Sequence, residues 1–101
     1  MGIFDRLRGD QAKIHIVIRG RIGDDWKDID EYVKIPEGIT LGEFVDVAEE
    51  AGIPLRESLA HSPHLNETLM LNGERCAITD NAGRLLKDGD EIYLLAPITG
   101  G

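Results

Sequence analysis

The stretch Ile39-Thr40-Leu41-Gly42-Glu43-Phe44 constrains this chain more than any other. Thr40 followed three residues later by Glu43 is a capping box. Ile39 before the cap and Phe44 after it form a hydrophobic staple. Leu41, Phe44, Val45, Ala48 and Ala51 then share one face at helical spacing. Gly52 closes the helix and Pro54 lies just beyond it. A helix with one apolar stripe must bury it, so the rest of the chain has to supply a surface to cover.

The flanking segments read as that surface. Lys13 to Arg19 alternates, with Ile14, Ile16 and Ile18 on one side and His15, Val17 and Arg19 on the other, as in a half-buried strand. Gly20 to Asp30 reads as a polar loop around Gly23 and the acids Asp24, Asp25, Asp28 and Asp30. Glu31 to Ile35 reads as a second strand, with Val33 and Ile35 inward and Tyr32 outward. After the helix, Pro54 to Ala60 suits a short helical turn and His61 to Glu67 a loop. Leu69 to Leu71, Asn72-Gly73 and Glu74 to Ile78 read as strand, turn, strand, since Asn-Gly is the strongest two-residue hairpin signal. Asp80 to Gly83 reads as loop. Lys87-Asp88-Gly89-Asp90 is a turn before a last strand, Glu91 to Leu95, with Ile92 and Leu94 inward. Strand, strand, helix and further strands predict an α+β fold, a mixed sheet packed on one main helix. The sheet face away from the helix is left open. Val17, Tyr32, Tyr93 and Leu95 fall on it, with His15, Arg19 and Lys34 among them, and an open face with two tyrosines suits a partner. Residues 1–12 form an N-terminal extension whose Ile3, Phe4 and Leu7 share one side if helical.

The totals limit the partners. A chain of 101 residues fits one domain with its own core. Its formal net charge of −8 argues against nucleic acid and against an anionic membrane surface. A partner with a basic face fits better. One cysteine, Cys76, rules out an intrachain disulfide, and without a signal peptide the expected compartment is cytoplasmic.

Chemistry is sparse in the body of the chain. Nucleophilic catalysis needs a Cys or Ser beside a base, and nothing ties Cys76 to a histidine. His61-Ser62-Pro63-His64 lacks a third metal ligand. The run from Asp24 to Glu31 lacks the glycine and alternating oxygens of a calcium loop, and no phosphate loop is present. Expectation therefore turns to Ala96-Pro97-Ile98-Thr99-Gly100-Gly101. Proline extends the backbone, and glycines leave no side chain to obstruct a narrow channel. Read as a chain end, Gly101 offers an α-carboxylate of pKa about 3.3–3.7, ionised at neutral pH.

Three motifs carry a resemblance: Leu71-Asn72-Gly73-Glu74, Leu86-Lys87-Asp88-Gly89-Asp90-Glu91-Ile92 and the Gly-Gly ending. In this order they resemble the MoaD/ThiS sulfur-carrier family of ubiquitin-like β-grasp proteins, over about residues 13–101. The nearest likeness is to the molybdopterin synthase small subunit, whose tail usually reads Pro-Pro-Val-Ser-Gly-Gly. Here Ala96, Ile98 and Thr99 replace the first proline, the valine and the serine. The resemblance implies a β-grasp domain over residues 13–101 with its tail at 96–101. It implies that a ubiquitin-activating-type adenylyltransferase activates the Gly101 carboxylate with ATP. A sulfur donor then makes a thiocarboxylate, which the carrier delivers to a synthase subunit. Gly100 would permit threading, while Pro97, Ile98 and Thr99 would guide the tail. No cofactor or metal would be bound by the carrier itself, which is a substrate rather than an enzyme. Molybdopterin is the expected destination. A protein modifier joined through Gly101 to lysines, or a carrier for thiamine, cysteine or tRNA thiolation, stands as the alternative.

Overall fold

The computed structural model describes residues 11–96. The apolar residues Ile3, Phe4 and Leu7, and the tail residues Pro97, Ile98, Thr99, Gly100 and Gly101, lie outside the described residues.

The fold is a mixed five-stranded sheet with helices, an α+β architecture. Strand β1 (Gln11–Ile22) is longer than its alternating heart. Ile14, Ile16 and Ile18 are wholly buried, as the alternation predicts. Strand β2 (Asp25–Pro36) runs antiparallel to it from Gln11↔Pro36 to Ile22↔Asp25 without a bulge. The expected loop at Gly20–Asp30 is therefore a continuation of this hairpin, with only Gly23 and Asp24 between the strands. Gly23 has φ +62° and Asp24 a negative φ, the arrangement of a type II′ turn with glycine first. Of the acids expected in that loop, Asp24 stays in the turn and Asp25 begins β2, while Asp28 and Asp30 share one face of the strand, where Arg19 and His15 meet them.

Helix α1 (Leu41–Glu50) follows with both halves of the capping box formed. Its first amides are all satisfied. Leu41 N–H donates to the Arg84 carbonyl at 2.8 Å, Gly42 N–H to that of Ala82 at 2.9 Å, and Glu43 N–H to Thr40 Oγ1 at 3.2 Å. A Cβ on Gly42 would stand 3.1 Å from the Ala82 oxygen, so glycine lets that segment come close. Leu41, Phe44 and Ala48 are fully buried, but Ala51 is exposed and Ile53 is buried in its place. The helix ends at Glu50, one residue short of the last position in the apolar stripe, and Ala51 caps it. Arg56 on helix α2 (Leu55–His61) pairs with Asp46 on α1. The buried Ser58 hydroxyl donates to the Pro54 carbonyl at 2.6 Å.

Two stretches expected as loop contain short helices, α3 (Leu65–Thr68) and α4 (Ile78–Asn81). Each is a single turn, too short to show the repeating apolar spacing that marks a helix in a sequence. Between them, β3 (Met70–Leu71) and β4 (Glu74–Arg75) form the expected hairpin, shortened because Ile78 enters α4. Strand β5 (Glu91–Leu95) lies parallel to β1, with Ile16 opposite Ile92 and Ile18 opposite Leu94. The order across the sheet is β2-β1-β5-β3-β4. The buried face of the two middle strands and α1 share one core with Leu55, Leu65, Leu69 and Leu86.

Asn72 ties the β3–β4 turn to the start of β5. Its backbone takes φ +54°, and no other described non-glycine residue has a positive φ. Its Nδ2 donates to Asp90 Oδ1 at 2.9 Å, and its Oδ1 accepts from Glu91 N–H at 2.8 Å. Asp90 in turn accepts from Lys87 N–H at 2.8 Å. The two internal motifs are thus one bonded unit. Asn72→Ala should lower the unfolding free energy by about 1–3 kcal/mol, read from a urea midpoint. Asn72→Gly, which restores the backbone freedom but not the side-chain bonds, should cost less.

Candidate functional site

The open face is built by side-chain parity. On β1 the odd residues Lys13, His15, Val17, Arg19 and Arg21 face away from α1. The straight register sets the even residues Trp26, Asp28, Asp30, Tyr32 and Lys34 of β2 beside them. From the other side β5 adds Glu91, Tyr93 and Leu95, and β3 adds Met70 opposite Tyr93.

His15 sits at the centre. Its Nε2 lies 2.6 Å from Asp30 Oδ1 and its Nδ1 lies 3.4 Å from Glu91 Oε2. A neutral imidazole could donate to only one of these carboxylates, whereas imidazolium donates to both. The Asp30 hydrogen bond raises the His15 pKa above 6.5; partial burial opposes this, and Glu91 adds to it. Tyr32 stacks on the imidazole at 4.6 Å between centroids, and Tyr93 meets it edge-on at 5.9 Å. Lys13 Nζ stands 5.4 Å from the Tyr32 ring centroid. Beside this cluster, Arg19 Nε donates to Asp28 Oδ1 at 3.0 Å. The cluster holds two aromatic rings around an imidazole bonded to carboxylates from the strands on both sides. It is a platform whose polar groups already have partners within the chain.

The four residues expected to bind a partner share this face, but unequally. Tyr32 is 64% exposed and Leu95 49% exposed, while Tyr93 is half-buried. Val17 is only 3% exposed, lying between its cross-strand neighbours Asp30 and Tyr93. It forms the floor of the face rather than its contact surface. Trp26, 57% exposed, joins this face from β2, where the sequence predicts a loop. The signal was present in Ile22-Gly23-Asp24-Asp25: Gly-Asp as a two-residue turn would have placed Trp26 on β2 with Tyr32.

The face ends where the tail begins. Ala96 N–H donates to the Arg19 carbonyl at 2.8 Å, one step past the end of β5. Gly20, at φ +119°, lies against it, and a Cβ there would stand 2.6 Å from the Ala96 oxygen. Ala96 is consequently buried, although the motif that contains it suggests a free strand end. Pro97, Ile98, Thr99, Gly100 and Gly101 lie outside the described residues.

Elsewhere among the described residues, the candidate side chains stand apart. Cys76 is buried, with its Sγ 3.8 Å from the Arg84 guanidinium. His61 ends α2 and His64 precedes α3, and both are exposed. Among the described residues no group of three or more His, Cys, Asp or Glu could hold a metal ion, and no helix is long and apolar enough to cross a membrane.

Two outcomes test this site. The raised pKa means that His15 binds its proton more tightly in the folded protein. Its contribution is therefore fully present below about pH 6.5 and lost as pH rises through the folded value. Thermal midpoints of wild type and His15→Gln should differ most at about pH 5–6.5 and converge toward pH 9. Gly20→Ala should cost about 1–3 kcal/mol and shift the Ala96 amide resonance, because backbone must move to admit the methyl. No protein-family model matches this chain, and no curated protein matches it.

Proposed function

We propose that this chain is a sulfur carrier of the ubiquitin-like β-grasp type, akin to MoaD and ThiS, that acts through the carboxylate of Gly101. The observation that carries the reading is the anchored root at Ala96. Its amide is bonded to β1 at the very edge of an open face bearing Tyr32, Tyr93 and Leu95. A protein that grips this face also holds the base of the tail, so the last residues are presented at a set origin. Five residues of about 3.3 Å each reach about 16 Å from there, far enough to enter a buried site.

The chemistry belongs to the tail and to its partner. A carboxylate oxygen of Gly101 attacks the α-phosphorus of ATP in a ubiquitin-activating-type adenylyltransferase, and pyrophosphate leaves. A sulfide equivalent from a donor then attacks the acyl carbon of the adenylate, and AMP leaves. The thiocarboxylate is delivered to a synthase subunit, with molybdopterin as the favoured destination. Gly100 keeps the channel clear, and Pro97, Ile98 and Thr99 hold the segment extended. The domain contributes the platform: His15 with Asp30 and Glu91 orients Tyr32 and Tyr93, while Val17 supports them from beneath. The partners are proteins; nucleic acid and membrane have no role, and the site of action is the cytoplasm.

Intact mass spectrometry tests the reading directly. The purified native protein should end at Gly101. Incubation with ATP, an activating enzyme and a sulfur source should exchange one oxygen for one sulfur on that residue. Gly100→Val should abolish the exchange with an unchanged thermal midpoint. A ladder of lysine conjugates in place of the sulfur exchange would overturn the carrier in favour of a protein modifier.

A further inference from the structure

The edge of the sheet carries information that the carrier reading does not use. Strand β2 is terminal in the strand order, so one of its sides has no neighbour among the described residues. Which residues look outward follows from the ladder. On β1, the amide or carbonyl groups of Lys13, His15 and Arg19 bond toward β5 and its preceding turn. The even residues of β1 therefore bond to β2, and the register matches them with the odd residues of β2. Trp26, Asp28, Asp30, Tyr32 and Lys34 are left with amides and carbonyls directed away from the sheet. Two of these are the most exposed aromatic residues among those described.

We propose that two copies of this chain associate edge to edge through β2, antiparallel about a two-fold axis at Ile29. Outward residues must meet outward residues, which restricts the registers. An axis at 27 sets Lys27 on itself. An axis at 28 sets Asp28 on itself and Asp25 on Glu31. Axes at 30 and 31 set Asp30 and Glu31 on themselves. Only the axis at Ile29 among these puts an apolar residue on itself. It also sets Trp26 of each copy opposite Tyr32 of the other, an aromatic cross-strand pair made twice. Lys27 then faces Glu31, again twice, in the closer non-hydrogen-bonded positions. Among the described residues neither Lys27 nor Glu31 is held in an ion pair within its own chain. Asp28 does face Asp30, but each arrives with its own cation, Arg19 and His15. The pairing is isologous, closes after two copies and joins the two sheets into one. It uses the backbone edge and leaves Tyr93, Leu95 and the tail root uncovered, so it stands whether or not the carrier reading holds.

Light scattering on a sizing column, with loading up to about 1 mM, reads the association. Wild type should approach twice the 11.1 kDa chain mass as concentration rises. Lys27→Glu and Glu31→Lys should each remain at the single-chain mass, because each sets like charges opposite one another twice. An equimolar mixture of these two variants should regain the doubled mass, since every Glu then faces a Lys. That recovery also excludes misfolding as the cause of the single losses. Asp28→Pro should abolish pairing although it removes a repelling charge, because it deletes an outward amide and no bond to β1. A single-chain mass for wild type throughout overturns the proposal, and binding of a basic strand peptide at that point would assign the edge to a foreign partner. A doubled mass that persists in both charge variants overturns it equally, placing the contact elsewhere.

Discussion

The parallel pairing of β1 with β5 is the contact on which the rest depends. It joins residues 15–19 to residues 91–95, far apart in the chain. Loop closure over such a separation is costly in entropy. The return comes from burying Ile16, Ile18, Ile92 and Leu94 on one face under Leu41 and Phe44 of α1. Once β5 lies beside β1, two consequences follow. Glu91 comes to His15, and Ala96 comes to Arg19 and Gly20. The tail root and the β5 half of the central cluster are therefore products of one strand pairing, while the β1–β2 hairpin supplies Asp30 and Tyr32.

The same pairing explains how a face can be open and yet ordered. An uncovered sheet face has no apolar layer to hold its side chains. Here charge and aromatic stacking do that work. His15 satisfies carboxylates from the strands on both sides, and the two tyrosines pack on its ring. Partial burial of the imidazole, whose side chain is 14% exposed, keeps these contacts from being fully screened by water. A platform of this kind loses little side-chain freedom when a partner arrives, which favours binding.

The two internal motifs that carry the resemblance have an architectural role. Asn72, Asp90 and Glu91 hold the β3–β4 turn against β5, and Lys13 N–H donates to Asp88 Oδ1 at 2.7 Å. Gly20, the first residue of the expected polar loop, lies in β1, and its missing side chain admits the Ala96 backbone. Conversely, the acidic run from Asp24 to Glu31 reads as a solvated loop because its charges hide the strand period. Cross-strand pairing of Asp28 with Arg19 and of Asp30 with His15 overrides that local signal.

Local physics was legible from residues 13–19, 39–54 and 69–74. Alternation, a reciprocal cap and an Asn-Gly turn act over a few residues, so the sequence by itself determined β1, α1 and the β3–β4 turn. It also determined which side of each strand is buried, since side-chain parity is a property of the extended backbone. Only the tertiary structure decided how far β1 and β2 run, that Val17 lies beneath its neighbours, and that Ala96 is held rather than loose. Those outcomes depend on which distant backbone arrives alongside, and no spacing within a single segment encodes the arrival.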